Sequence, residues 1–471
     1  MEGIIVIAFS LLGTLAGGIL CMIPSLHIYN VAGIAIILWI ELSTKIPYYT
    51  IGPFFMALMV SFAFINTIPM TFFSAADESA GASILPTTDM LKSGKGRDAS
   101  VISGLATFVG AVILVLLTPF VFYIAPYIYL PMRAHLHWII GLILVFYVMS
   151  EWPKGAGRGK TPWAKFKNAW HNCFAGLLTF VLSSIIGLII TSKPLAPPEK
   201  SFQNIMPIFL GFFAFPSIIQ AMMSEAKYPV KQYNSKYLNC KWSDFGYGAL
   251  PGIIGGLITA FIPAVTVGIS AIFAGHITNH RNLRQASFEK PKNPNTAVHI
   301  HIPEIYYQQE RVFLVAGGIN KIIYYVGAFL FLFAITDLTP NGMGRGGMNI
   351  LLKPIFSPER GDFAVMLATI FFTSALSLLL LIYFTDWTIK IMPKINVRLV
   401  YGIVTVVLLV LLFVMGGGWM AIGVAAATTC VGLIPVFYSC RRSHCMAVLL
   451  VPIALNMAGY GDAIARFLGL M

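Results

Sequence analysis

Long apolar segments separated by short polar stretches run along the whole chain. A membrane-spanning helix needs about 17–25 mostly apolar residues. Only 10% of the residues are charged, against roughly a quarter in soluble domains. The pattern predicts an all-α polytopic membrane protein with about 12–14 membrane segments. These segments lie near 3–23, 27–43, 51–73, 101–126, 135–151, 169–192, 203–223, 246–262, 264–275, 312–336, 362–385, 397–415, 418–439 and 445–461.

Basic residues concentrate in the loops on one side of these segments. Placing the basic loop 152–168 in the cytoplasm puts 22 of the 31 Lys and Arg residues on that side. Cytoplasmic loops of membrane proteins carry such an excess. We therefore predict a multi-pass protein of the cell (inner) membrane, surrounded by lipid, with both termini outside and no nucleic-acid partner. The stretches predicted to be cytoplasmic are 74–100, 152–168, 224–243, 276–311, 386–398 and 440–444.

A helix-breaking pattern occurs twice. Gly17 stands seven positions before Pro24, and Gly256 stands seven before Pro263, each within an uncharged apolar stretch. Broken backbone is tolerated at membrane depth where it lines a cavity, and paired breaks mark transporter binding sites. We predict inverted repeats over 1–223 and 246–471, a cytoplasmic linker over 224–245, and broken or re-entrant helices at the centre. The alternative is two helix kinks that resemble each other by chance.

Polar and glycine residues near the breaks are candidates for binding an anion. A helix that begins after either proline presents a partly positive N-terminus. Lys321 is a candidate countercharge, although it could equally reach the membrane surface or pair with an acid. Interhelical hydrogen bonding is the alternative for each polar group. The predicted substrate-binding residues are Gly17, Gly18, Pro24, Ser25, His27, Asn30, Asn66, Gly256, Pro263, Ala264, Asn320 and Lys321.

Acidic residues follow the third apolar segment. Carboxylates close to the membrane interior are costly and usually mark ion or proton pathways. We predict a Na⁺ or H⁺ coupling site at Ser74, Asp77, Glu78 and Ser79. The alternative is a solvated cytoplasmic loop whose acids are balanced by Lys92, Lys95 and Arg97. We predict no metal centre and no organic cofactor.

Four stretches resemble one family of transporters: Gly17–Ala32, Phe73–Ala99, Glu310–Asn320 and Arg441–Pro452. The chain is similar to the permease subunit of tripartite tricarboxylate transporters, most of all to the archaeal-type branch. This resemblance implies a carboxylate substrate and, as partners, a small membrane subunit and a binding protein. Ser25 and Ala264 stand where the family usually has glycine, and these departures bear on the substrate more than on the fold.

The residues and the resemblance together predict a secondary transporter. Its cargo would be a small organic anion, a carboxylate, moved in symport with Na⁺ or H⁺. One alternative is a flippase for a lipid-linked carrier such as polyprenyl phosphate. Another is an intramembrane enzyme that uses His27 with Asp77 or Glu78, although no nucleophile or metal set converges on one site. We therefore predict a protein that is not an enzyme. A homodimer is one possible oligomeric state.

Overall fold

Every regular element in the part of the chain that the structure describes is a helix. The computed structural model describes residues 2–24, 26–42, 44–73, 84–153, 159–197, 202–223, 231–233, 237–262, 304–340, 342–343, 346–353 and 355–470. The α-helices are α1 Glu2–Leu20, α2 Ile28–Leu42, α3 Ile51–Ile65, α4 Thr67–Phe73, α5 Ile84–Lys92, α6 Gly96–Ala134, α7 Leu136–Met149, α8 Pro162–Ser192, α9 Phe202–Phe209, α10 Phe215–Met223, α11 Trp242–Phe261, α12 Glu304–Ile322, α13 Ala328–Leu330, α14 Gly347–Leu352, α15 Asp362–Ile391, α16 Val397–Met415, α17 Trp419–Tyr438, α18 Ala447–Met457 and α19 Gly461–Phe467. Two π-helices, Leu210–Ala214 and Ile323–Gly327, join α9 to α10 and α12 to α13. Short 3₁₀ turns cover Tyr48–Thr50, Phe331–Phe333, Met392–Lys394 and Arg442–Met446.

Nine helical stretches among the described residues are long and apolar enough to cross a membrane. A tenth span is possible by length if Arg442–Met457 and Gly461–Phe467, which meet at 115°, count as one broken span. The shorter helices α2 and α7 are also apolar. The prediction of an all-α polytopic membrane protein is confirmed. Segment 264–275 lies outside the described residues.

The chain folds into two compact units, and each draws on both halves of the sequence. Unit 1 comprises 1–24, 37–123 and 227–395, and unit 2 comprises 25–36, 124–226 and 396–471. Both units therefore interleave segments from before and after the linker predicted at 224–245. The repeat boundaries 1–223 and 246–471 stay a prediction.

The core of unit 1 is an antiparallel pair of spans. The spans that contain α3 and α12 are 94% and 89% buried. Lys321 contacts Thr67 through a hydrogen bond, and the rings of Tyr325 and Phe62 lie 5.7 Å apart. From the first contact to the second, the residue number rises along the span of α12 and falls along the span of α3. The two spans therefore run in opposite directions. Helices that are apolar on all sides, such as α3, belong in the interior of a bundle.

Glycines bring α1 into direct contact with α3. A Cβ added to Gly17 would lie 2.8 Å from the Leu58 carbonyl oxygen, and Gly13 meets Phe54 in the same way. Small residues allow such close approach between membrane helices. The residue numbers in these two contacts rise together along α1 and α3, so the two helices are parallel. The intervening chain therefore returns to the side of the membrane at which α1 begins.

The same arrangement recurs between α11 and α12. A Cβ added to Gly252 would lie 2.7 Å from the Ala316 carbonyl oxygen, and one added to Gly256 would lie 2.6 Å from Ile323 Cβ. These helices are also parallel. Because α3 and α12 are antiparallel, the two glycine-lined pairs run in opposite directions, as inverted repeats require. Superposition of the repeats stays a prediction.

The contact register modifies one detail of the predicted repeat. Gly17 faces Leu58, whereas Gly256, its partner in the sequence pattern, faces Asn320. Asn320 therefore corresponds to Leu58 by contact. Asn66, which the sequence pattern matches to Asn320, lies two helical turns further along the chain.

Two ion pairs join helix ends that the distribution of Lys and Arg assigns to the cytoplasmic side of the membrane. Arg97 Nε lies 2.7 Å from Asp386 Oδ1, which links the start of α6 to the end of α15. Arg311 Nε lies 2.8 Å from Asp244 Oδ2, which links the starts of α12 and α11. All four ends fall in or beside stretches predicted to be cytoplasmic.

Unit 2 includes α8 and the four helices α16 to α19 near the C-terminus. Helix α8 packs against α18 and α17, and α17 also packs against the π-helix Leu210–Ala214. A Cβ on Gly187 would overlap the Val448 carbonyl, and one on Gly211 would overlap the Thr428 side chain. Close glycine contacts thus recur in this unit.

We predict that Gly17→Leu and Gly252→Leu lower the melting temperature of the purified protein. Overpacking of this kind costs about 1–3 kcal/mol because the opposing backbone must move. Gly402→Leu in α16 is the control, since a Cβ there meets no described atom within 4 Å. Equal melting temperatures for all three variants in detergent would show that these helices are not in close contact.

Candidate functional site

The predicted substrate residues fall in both compact units. Unit 1 holds Gly17, Gly18, Pro24, Asn66, Gly256, Asn320 and Lys321, and unit 2 holds His27 and Asn30. Three others, Ser25, Pro263 and Ala264, lie outside the described residues, as do the predicted ion-coupling residues Ser74, Asp77, Glu78 and Ser79. Their roles stay predictions.

A helix ends shortly before each of the two prolines. Helix α1 ends at Leu20, and the chain turns through Pro24 before α2 begins at Ile28. Helix α11 ends at Phe261, two residues before Pro263. The absent side chains of Gly17 and Gly256 serve helix packing, whether or not these residues also contact a substrate.

Lys321 is a buried cation halfway along a membrane span. Its side chain is 3% exposed, and Nζ donates a hydrogen bond of 2.8 Å to Thr67 Oγ1. It lies thirteen residues beyond Gln308, where the span begins, which corresponds to roughly 20 Å of helix. Intramembrane charges at such depth usually mark substrate or ion pathways.

Amide side chains accompany Lys321. Asn66 directly precedes Thr67 at the junction of α3 and α4, and its Nδ2 has no hydrogen-bond partner among the described residues. Asn320 is 1% exposed, and its Oδ1 lies 3.5 Å from Thr259 Oγ1. The structure thus brings an ammonium group and an amide donor to one junction of two buried helices. Such donors can bind a carboxylate or a phosphate oxygen.

A π-helix begins two residues after Lys321 and covers Ile323–Gly327. Such π-turns interrupt the regular backbone hydrogen bonding and are frequent at functional sites. The sequence pattern did not identify this turn, because its residues, Ile-Tyr-Tyr-Val-Gly, are compatible with an ordinary apolar helix.

His27 and Asn30 form a second polar position, in unit 2. The His27 ring stacks on Phe209, with centroids 5.1 Å apart, and Nδ1 accepts a 3.1 Å hydrogen bond from the Tyr29 backbone N–H. Asn30 is 3% exposed, and its Nδ2 has no partner among the described residues. Phe209 directly precedes the other π-helix, Leu210–Ala214. Both units therefore place predicted polar residues beside a π-helix.

A buried cluster in unit 2 explains the C-terminal stretch that begins at Arg441. The Glu151 carboxylate accepts hydrogen bonds of 2.8 Å from Asn172 Nδ2 and from the Arg441 backbone N–H. His444 Nε2 lies 3.7 Å from the same carboxylate. Arg442 donates to Ser217 and Gln220 of α10. These contacts fasten the chain between α17 and α18 to α7, α8 and α10, a structural role that sequence alone did not predict.

Comparison with known proteins identifies the family. The sequence model of the Tripartite tricarboxylate transporter TctA family matches residues 7–447 of this chain. An uncharacterized protein from Methanocaldococcus jannaschii is 22% identical over 283 residues, which cover 59% of this chain and 62% of that protein. No solved structure matches the chain. Because the family match extends over nearly the whole sequence, the protein belongs to the tripartite tricarboxylate transporter TctA family.

Proposed function

We propose that the protein is the large permease subunit of a tripartite transporter. It moves a small carboxylate anion across the cell membrane in symport with Na⁺ or H⁺. The family match supports transport, and the nine candidate spans support a multi-pass protein. The observation that carries the choice of an anion is the buried ammonium group of Lys321 at mid-depth, beside Thr67 and Asn66.

The energetic argument concerns the cost of a charge in the membrane. A lysine at the centre of a span costs about 2.5–3.5 kcal/mol on insertion scales. A bound carboxylate would compensate this charge, and the Asn66 amide would supply a neutral donor. Hydrogen bonds to a charged partner contribute about 1.5–3 kcal/mol each. Substrate sites near the midplane are the common arrangement in secondary transporters.

Partner subunits follow from the family. Tripartite systems combine a large permease with a small membrane subunit and a binding protein, and we propose both kinds of partner for this chain. Several of the spans have exposed apolar faces, which is compatible with lipid or with a membrane subunit. The identity of the partners and a homodimeric state stay predictions.

A lipid-phosphate flippase is the second candidate function. A small apolar pocket lies between α6, α11 and the π-helix that follows Lys321. Its lining includes Leu114, Phe122 and Leu257. An isoprenoid or acyl chain would suit such walls, while a phosphate would suit Lys321. The enzyme alternative would need His27 beside Asp77 or Glu78, and both acids lie outside the described residues.

We predict that Lys321→Met weakens anion binding and uptake at least about 10-fold, since it removes a charge-assisted contact. Lys321→Arg should retain part of the activity. The measurements are uptake of labelled di- and tricarboxylates into proteoliposomes and ligand-induced thermal stabilisation. Phosphorylated lipids in the same panel distinguish the flippase.

Lys353→Met is the matched control, because Lys353 is an exposed residue of unit 1. The proposal fails if well-folded Lys321→Met protein keeps the wild-type response to every anion. A response confined to lipid phosphates would favour the second candidate.

We predict that Asp77→Asn or Glu78→Gln abolishes gradient-driven uptake while the protein stays folded in the membrane. A neutral amide can neither offset the charge of a bound cation nor carry a titrating proton. Uptake into proteoliposomes with and without a Na⁺ or proton gradient tests this. Normal gradient dependence in both variants would make these acids ordinary loop residues.

A further inference from the structure

Charged side chains form a linked set at one end of unit 1. Within the part of this unit that the structure describes, two ion pairs join four of its members, and longer-range electrostatic interactions connect the others. They are the carboxylates Asp89, Asp98, Asp244, Glu310 and Asp386, and the cations Lys95, Arg97 and Arg311. Carboxylates outnumber cations in this set by five to three.

Both arginines are directed at acids other than Glu310. Arg97 makes two contacts with the Asp386 carboxylate, at 2.7 and 3.4 Å. Arg311 lies 2.8 Å from Asp244, with side chains 2% and 0% exposed. Ion pairs with this geometry neutralise their own acids. Glu310 therefore depends on other cations.

Glu310 is the most deeply buried acid that no arginine contacts in this set. It is 6% exposed, and its Oε2 has no hydrogen-bond partner among the described residues. Burial of an uncompensated carboxylate is strongly unfavourable. Its position at the start of a buried span therefore calls for a ligand that supplies positive charge.

Charged groups of both signs lie on the elements next to Glu310. Helix α5, which carries Asp89, packs against α12, and Lys95 lies in the turn between α5 and α6. Helix α11 contributes Asp244, which Arg311 neutralises. Helix α3 has no charged residue. Glu310 thus lies on a helix that packs against a helix carrying a second carboxylate.

We propose that Glu310 and Asp89 bind a monovalent cation, either H⁺ or Na⁺, at this end of unit 1. Two carboxylates that share a site are stabilised when a proton or a hard cation lies between them. The cation can bind in the absence of any substrate. A coupling role for it rests on the proposed transport function.

The test uses the purified full-length chain in detergent without any organic anion. Melting temperature is measured against NaCl, with choline chloride at matched ionic strength, at pH values from 5.5 to 8.5. If the ligand is Na⁺, we expect NaCl to stabilise the wild type at alkaline pH. If it is H⁺, we expect acidification to stabilise the wild type equally in both salts.

Glu310→Gln should abolish whichever response the wild type shows, or weaken half-saturation at least about 10-fold. Glu359→Gln, at an exposed acid of the same unit, should keep it. If Glu310→Gln does not fold, Asp89→Asn at a half-buried position provides the same test. A wild type that responds to neither cation, or a folded Glu310→Gln or Asp89→Asn protein with the wild-type response, overturns the proposal.

Lys321→Met separates this proposal from the proposed function. It should lose the response to carboxylates while keeping the response to the cation. Absence of any carboxylate response in the wild type would count against the transport proposal alone.

Discussion

Unit 1 depends on the antiparallel contact between α3 and α12. These helices are apolar and nearly enclosed, so each needs neighbours on every side. Helices α1 and α11 cover one flank of each through glycine contacts. The later helices cross over: α6 follows α3 in sequence but packs on α12 through Gly110 and Ile319, while α15 follows α12 but packs on α3. Such an exchange is what two inverted repeats around a shared axis would produce.

The same contact determines which polar groups can be buried. Thr67 and Lys321 meet because α3 and α12 pass each other at that level. The interior has a low effective dielectric, which strengthens a satisfied polar contact and makes an unsatisfied one costly. A buried lysine is therefore stable only with oxygen partners, and a buried glutamate only with a positive ligand. Lys321 and Glu310 illustrate the two cases on one helix.

The sequence predicted helix positions well where lipid imposes the constraint. The segments predicted at 397–415 and 418–439 match α16 and α17 to within one residue at each end, because backbone groups in a membrane must be hydrogen-bonded within the helix. Helix α6 is longer than the predicted 101–126 at both ends, and its N-terminal extension includes Arg97, which pairs with Asp386. Pairings such as Arg311 with Asp244 join distant positions, and no local pattern encodes them. Lys321 was identifiable because it is an isolated cation in an apolar segment.

The two proposed ligand positions share one face of α12. Glu310 and Lys321 are eleven residues apart, close to three full turns, and therefore roughly 16 Å apart along the axis. A bound cation and a bound monovalent anion at this separation attract each other by about 1 kcal/mol at an effective dielectric constant of about 20. Electrostatics alone would thus couple their affinities by about fivefold. Tighter coupling would require a movement of α12 that both ligands favour, and the π-helix that follows Lys321 is where its regular hydrogen bonding is already interrupted.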